Sequence, residues 1–120
     1  MATILLADDD AAVRELVKRA LTVDGHTVLV TQDGTEALEV FSANAATVDV
    51  LVSDVDMPGL DGVSLAMKAQ KAKPAIAVVL MSGFSDQLDR AKDLTQTRLT
   101  SITKPFTLDQ IKQAVRAVSR

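Results

Sequence analysis

Three near-continuous apolar runs constrain the fold of this chain more than any other feature. They cover residues 3–7, 48–53 and 76–81. A strand that is apolar at nearly every position must be covered on both faces, as are the central strands of a parallel sheet between helices. Residues 27–31, rich in β-branched side chains, and 99–103, which are more polar, complete a set of five predicted strands. The last of them suits an edge or near-edge position.

Helical stretches alternate with the strand-like runs, which indicates an α/β domain with a mostly parallel sheet. Three helices are predicted to begin at cap residues, whose side chains accept hydrogen bonds from the first amides of a helix. Two of these caps are followed three residues later by a Glu or Gln, as in a capping box. The caps are Asp10, Asp33 with Glu36, and Thr107 with Gln110, and further helices are predicted over residues 62–72 and 85–96.

Composition excludes several classes of protein. The length of 120 residues predicts a single domain over residues 1–120. The chain has no Cys, so a thiolate metal site is excluded and a reducing, cytoplasmic location is expected. The net charge is −3 and no block of Lys or Arg stands out, which argues against nucleic acid as a direct partner. No apolar run approaches the roughly 20 residues of a membrane span, so no membrane partner is expected.

Four of the predicted strands end in polar residues that phosphoryl chemistry can use. Asp8-Asp9 follow the first strand, Asp54 the third, Ser82 the fourth and Lys104 the fifth. The carboxyl ends of parallel strands share one edge of a sheet, and open α/β sheets bind ligands at that edge. We therefore expect these side chains to meet in one crevice, as a site for a metal ion and a phosphoryl group.

Each of these residues also has an ordinary structural interpretation. Asp8 and Asp9 suit a hard divalent cation such as Mg²⁺, but acidic residues there also complement the positive end of a helix dipole. Asp54 suits a nucleophile beside a metal, whereas most aspartates before Pro and Gly turns only bind backbone amides. Ser82 and Lys104, taken singly, are typical of solvated strand ends. Only the joint order of these residues behind apolar runs favours the phosphoryl site.

The motifs around these residues together resemble the CheY-like receiver domain of two-component response regulators. The resemblance covers the whole chain and implies an α/β fold, with a five-stranded parallel sheet in the flavodoxin-like order 2-1-3-4-5 and five helices on both faces. Its motifs are Ala7-Asp8-Asp9-Asp10, the segment from Ser53 to Gly62, Met81-Ser82-Gly83 and Lys104-Pro105-Phe106.

The resemblance implies a metal site and a phosphoacceptor. Asp8 and Asp9 would hold Mg²⁺ together with Asp54, and Asp54 would receive the phosphoryl group. Asp56 would offer its backbone carbonyl to the metal.

The resemblance also implies how the phosphoryl group is bound and who delivers it. Ser82 would bind the group, Lys104 would pair with it, and the Lys104-Pro105 peptide bond would be cis. The donor would be a histidine kinase or histidine phosphotransfer protein. The output would be binding of a downstream protein by a monomer or a weak, phosphorylation-dependent dimer. No enzyme activity beyond the domain's own phosphorylation and dephosphorylation is implied.

The sequence departs from the family pattern at Ser101, where many receivers have an aromatic residue that turns inward on activation. Phe84 and Phe106 are the remaining candidates for that coupling role. The acidic Asp56, two residues after Asp54, is a second variation, in a position to influence attack of water on the phosphoryl group. Within the family the chain is similar to CpdR-type single-domain receivers, and equally to receivers at the ends of hybrid kinases.

Two other functions stay open at this point. Asp54-Val55-Asp56 is similar to the Asp-x-Asp motif of haloacid-dehalogenase-type phosphatases, which are Mg²⁺-dependent hydrolases. Two observations argue against them. Those enzymes generally need further strands, a cap and another acidic motif after the Lys, whereas residues 105–120 read as one helix. In addition, Pro58 stands two residues after Asp56, where those enzymes have Thr or Val. The other alternative is a receiver-like binding module with a dormant site, against which the intact Asp9, Asp54 and Lys104 argue.

Overall fold

Strands and helices alternate in the computed structural model, which describes residues 2–83 and 98–119. The strands are β1 (Thr3–Ala7), β2 (Thr27–Thr31), β3 (Val50–Asp54), β4 (Ala77–Ser82) and β5 (Arg98–Thr103). The helices within these ranges are α1 (Ala11–Val23), α2 (Gly34–Asn44), α3 (Gly62–Ala72) and α4 (Leu108–Val118). The helix predicted over residues 85–96 lies outside the described residues.

The five strands form one parallel sheet in the order β2-β1-β3-β4-β5, which confirms the expected topology. Every residue of β3 and β4 is buried, and so is β1 after its first residue. The more polar β2 and β5 lie at the two edges, and nearly all of their residues are exposed or only partly buried. The apolar patterns of the five segments thus identified the central strands correctly.

Alternate residues of the central strands supply two separate cores. Leu5, Leu51 and Val78 pack with the apolar residues of α2 and α3, including the fully enclosed ring of Phe41. Ile4, Val52 and Val79 are among the residues that pack with α1 and α4 on the other face. Because side chains alternate across a strand, each central strand contributes to both cores.

The predicted caps form at the helix starts. The Asp10 carboxylate accepts hydrogen bonds from the Ala12 and Val13 amides, and the Asp33 carboxylate accepts one from the Glu36 amide at 2.8 Å. Thr107 and Gln110 form the reciprocal capping box, at 3.1 and 2.7 Å. Each cap fixes the residue at which its helix begins, and therefore the end of the loop that joins the helix to the preceding strand. Polar residues of the predicted site lie in such loops.

The third and fourth strands begin one or two residues later than their apolar patterns predicted. The Val48 amide donates to the Asn44 carbonyl at 3.0 Å, and the Ile76 amide donates to the Lys73 carbonyl at 3.0 Å. Both apolar residues are buried, but their amides are used by the turns that follow α2 and α3. Within the described ranges, none of the helices has the length and apolarity needed to cross a bilayer.

Candidate functional site

The carboxyl ends of β1, β3 and β5 bring three of the predicted site residues into direct contact. The Lys104 Nζ atom lies 3.2 Å from Asp54 Oδ2 and 3.3 Å from Asp8 Oδ2. Asp8 and Lys104 are 96 positions apart in the chain. Their contact follows from the sheet order, because β3 lies between β1 and β4, and β5 in turn pairs with β4.

Three carboxylates face one another at this edge of the sheet. One ligand oxygen from each of Asp8, Asp9 and Asp54 lies within 4.8 Å of the other two. Asp8 is fully buried and Asp54 is 6% exposed, while Asp9 is exposed to solvent. Two backbone amides of the adjoining loops also point at the buried pair: that of Asp10 donates to Asp8 Oδ1 at 2.8 Å, and that of Asp56 lies 3.4 Å from Asp54 Oδ1.

Burial disfavours the ionised form of the carboxylates in this cluster. Burial raises the pKa of both Asp8 and Asp54 above the usual value of an aspartate, although the Lys104 ammonium opposes the shift. Burial alone would lower the pKa of Lys104, but its two carboxylate partners outweigh this and leave the pKa raised. Lys104 therefore stays charged and neutralises one of three carboxylates. The arrangement retains negative charge that a divalent cation would compensate.

The donor set suits a hard cation. Mg²⁺ takes oxygen ligands at about 2.1 Å, so opposite ligand oxygens lie about 4.2 Å apart, close to the spread of these carboxylates. The side chain of Asp56 is exposed and, among the described contacts, takes no part in the cluster. For Asp56 only the backbone is suitably located, next to Asp54. Residues Asp8, Asp9 and Asp54 thus fit the expected cation, with the main chain of Asp56 beside them.

Ser82 ends β4 next to the same crevice. It is fully buried, and its carbonyl accepts a hydrogen bond from the Lys104 amide at 2.8 Å. β4 and β5 pair in register up to Ser82 and Thr103, so Lys104 is the first residue beyond the sheet. The Lys104-Pro105 bond is cis, as the resemblance implied. Ser101 is exposed on β5, and Phe84 lies outside the described residues.

Two features of the site were not predicted from the sequence. The Arg14 guanidinium donates to the Asp8 carbonyl at 2.9 Å and holds the loop between β1 and α1. A groove of about 310 Å³ lies beside the site, between α1 and the loop after β5. It is lined by Val13, Leu16, Lys104, Pro105 and Phe106. Leu16 of α1 is 43% exposed at this groove.

Comparison with known proteins identifies the same architecture. The sequence model of the response regulator receiver domain matches residues 4–116. The sensor kinase CckA of Brucella abortus (strain 2308) is 36% identical over 96% of this chain and 12% of its own length. The response regulator MprA of Mycobacterium ulcerans (strain Agy99) is 33% identical over 98% of this chain and 50% of its own length. The chain thus spans half or less of these two relatives.

A solved structure extends the likeness to the backbone. The response regulator protein TrrA from Thermotoga maritima, in complex with Mg(2+)-BeF, superposes with a TM-score of 0.85 and 27% identity. The match covers 98% of this chain and 99% of that one.

Proposed function

Because this chain belongs to the response regulator receiver family, whose members are regulatory signalling domains of two-component systems, we propose that it is a phosphoacceptor switch. It takes a phosphoryl group onto Asp54 from a histidine kinase or histidine phosphotransfer protein. It then signals by binding a downstream protein in one phosphorylation state. The observation that carries this proposal is the contact of Lys104 with Asp54 in the acidic cluster at the strand ends.

The proposed reaction is a transfer between two side chains. An Asp54 carboxylate oxygen attacks the phosphorus of a phosphohistidine, and an oxygen–phosphorus bond forms. The bond between phosphorus and the imidazole nitrogen breaks, its electron pair stays on that nitrogen, and the nitrogen takes a proton from solvent. The Lys104 ammonium neutralises charge on a phosphoryl oxygen, and the Ser82 hydroxyl donates a hydrogen bond to another.

Mg²⁺ is the proposed cofactor. Asp8, Asp9 and Asp54 would hold it together with the backbone carbonyl of Asp56. When bound, the ion lowers the repulsion between the carboxylates and an incoming phosphoryl group. The complex of TrrA with Mg(2+)-BeF supports this assignment by likeness. Hydrolysis of the acyl phosphate returns Asp54 to its starting state, and we propose no other enzyme activity.

The groove beside Lys104 is the proposed docking surface for the phosphodonor protein. A helix of the donor would cover its apolar lining and present a phosphohistidine to Asp54, because Lys104 both lines the groove and contacts the Asp54 carboxylate. Residues 1–120 would form this single receiver domain, monomeric or weakly dimeric on phosphorylation and located in the cytoplasm, with no nucleic acid as direct partner.

Intact-protein mass spectrometry tests the proposed function. The wild-type protein and Asp54→Asn are incubated with Mg²⁺ and phosphoramidate, a small phosphodonor. We expect the wild type to gain one phosphoryl group and the variant to gain none. An absence of mass gain in both proteins would leave only the binding module with a dormant site. Continued release of phosphate over many turnovers from a generic phosphatase substrate would instead favour a phosphohydrolase.

A further inference from the structure

The loop from Val55 to Asp61, called here the acceptor loop, connects the proposed phosphoacceptor to α3 and carries Asp56. Its first residue is held by β4, because the Val55 amide donates to the Met81 carbonyl at 2.9 Å. Its exit folds back on itself, because the Gly62 amide donates to the Val55 carbonyl at 2.9 Å. The side chains of Val55 and Met57 are buried in the core below. The start of the loop is therefore held by β4, and its exit is bonded directly to its start.

Near its exit, at Leu60, the acceptor loop lies against a different element, the first turn of α2. A Cβ atom added to Gly34 would lie 2.0 Å from the Leu60 carbonyl oxygen and 2.8 Å from its carbon. Cβ atoms in proteins essentially never approach a neighbour closer than 3.0 Å. Any side chain at position 34 would therefore force the two backbones apart by about 1 Å. The close approach of α2 to the loop requires glycine there.

The acceptor loop, and not α2, is the partner that would move. The first turn of α2 is fixed by the Asp33 cap on the Glu36 amide, and its inner face is anchored by the buried Ala37 and Phe41. The loop tip, in contrast, is exposed at Pro58 and Gly59. A displacement at Leu60 would reach Asp56 through the hydrogen bond from the Gly62 amide to the Val55 carbonyl, because that carbonyl belongs to the same peptide unit as the Asp56 amide that faces the Asp54 carboxylate.

We propose that Gly34 is a positioning residue of the phosphorylation site, through the contact of its Cα with the Leu60 backbone. It belongs to a helix that provides none of the site's own groups. Its lack of a side chain lets α2 hold the acceptor loop where the main chain of Asp56 lies next to Asp54. This inference rests on the proposed function, since it assigns Asp56 to the Mg²⁺ site.

Titration with Mg²⁺ by calorimetry is the principal test, with Gly34→Ala as the variant. Removing a group that supports a metal ligand typically weakens metal binding about 10- to 100-fold, and we expect the lower part of that range because Gly34 acts through the backbone. At low Mg²⁺ the variant should take up a phosphoryl group about 10-fold more slowly, and saturating Mg²⁺ should restore most of the rate. In the metal-free protein, amide NMR shifts should change at Asp56 and Leu60.

Gly83→Ala is the matched control for metal affinity and thermal stability. Gly83 also lies near the site, but a Cβ atom there would meet nothing within 4 Å in residues 2–83 and 98–119. A folded Gly34→Ala protein with wild-type Mg²⁺ affinity and unchanged amide shifts at Asp56 would overturn the proposal, even if its melting temperature fell. If the variant unfolds in buffer, the same titration is made in sucrose, which favours the compact state. Failure of the wild type to be phosphorylated would instead refute the proposed function.

Discussion

Replacing Asp54 by Asn should make the metal-free protein more stable and the Mg²⁺-loaded protein comparatively less stable. The substitution removes the charge of an almost fully buried carboxylate but keeps the oxygen that faces the Asp56 amide. Burial raises the pKa of Asp54, so the ionised carboxylate is less favourable in the folded chain than in the unfolded one. A site shaped for a cation therefore costs stability when the cation is absent.

The magnitude follows from the distances. At an effective dielectric constant of about 20, two like charges that lie within 4.8 Å of each other repel by about 3.5 kcal/mol or more. Asp54 has two such neighbours, Asp8 and Asp9, and an attraction of about 5 kcal/mol to the Lys104 ammonium at 3.2 Å. Solvent weakens the repulsion from the exposed Asp9, while desolvation of Asp54 acts in the same direction as the repulsion. We expect a net gain of about 1–2 kcal/mol for Asp54→Asn.

Mg²⁺ should reverse this order. An ion that binds only the folded protein raises the free energy of unfolding by about 2.7 kcal/mol when its concentration is a hundred times its dissociation constant. The variant should lose most of this stabilisation. In metal-free buffer, the stability that the variant gains over the wild type should vanish below about pH 4, where Asp54 of the wild type is protonated in both the folded and the unfolded chain. This gain should grow as the pH rises through the raised pKa of Asp54.

Urea unfolding followed by far-ultraviolet circular dichroism measures both effects, because the chain has no Trp or Tyr for fluorescence. Each protein is unfolded in EDTA and in saturating Mg²⁺. Glu39→Gln, which removes a negative charge from the exposed surface of α2, controls for net charge. A variant that is less stable than the wild type in EDTA at neutral pH would refute the electrostatic argument.

Three further substitutions test other parts of the structure. Lys104→Met should destabilise the metal-free protein by about 3 kcal/mol, because two buried carboxylates lose the ammonium that contacts both of them, and Mg²⁺ should restore much of the loss in the same urea assay. Equal stability of variant and wild type in EDTA would contradict this. Burial lowers the pKa of His26, so the unfolded chain binds the proton first and the protein should lose stability as the pH falls below about 6.5. His26→Gln should reduce that loss of stability, which is measured as the urea midpoint at pH values between 7 and 5. An unchanged dependence of the midpoint on pH would contradict this role of His26. Leu16→Glu should leave phosphorylation by phosphoramidate unchanged but slow transfer from a phosphohistidine protein about 10-fold, as expected of a central interface residue. Met67→Glu, equally exposed on α3, is its control, and equal effects of the two on protein transfer would argue against the groove.

Much of the fold could be predicted from the sequence because it depends on patterns a few residues long. The two-sided burial of β1, β3 and β4 and the caps at Asp10, Asp33 and Thr107 are local properties. The strand order was expected from the resemblance to receivers and not from the apolar pattern, which is compatible with several orders. The exact strand starts were not predictable, because the turn bonds of Val48 and Ile76 compete with sheet pairing.

By itself, the sequence determined which residues end the strands, and therefore which chemical groups reach the carboxyl edge of the sheet. Tertiary structure alone decided that the Lys104 ammonium contacts both Asp8 and Asp54, and that Gly34 lies against Leu60. The spacing of apolar residues indicates only on which face of its own helix or strand a residue lies. A contact between distant residues depends on how the elements are ordered and how closely they approach, which is set by packing of the whole chain.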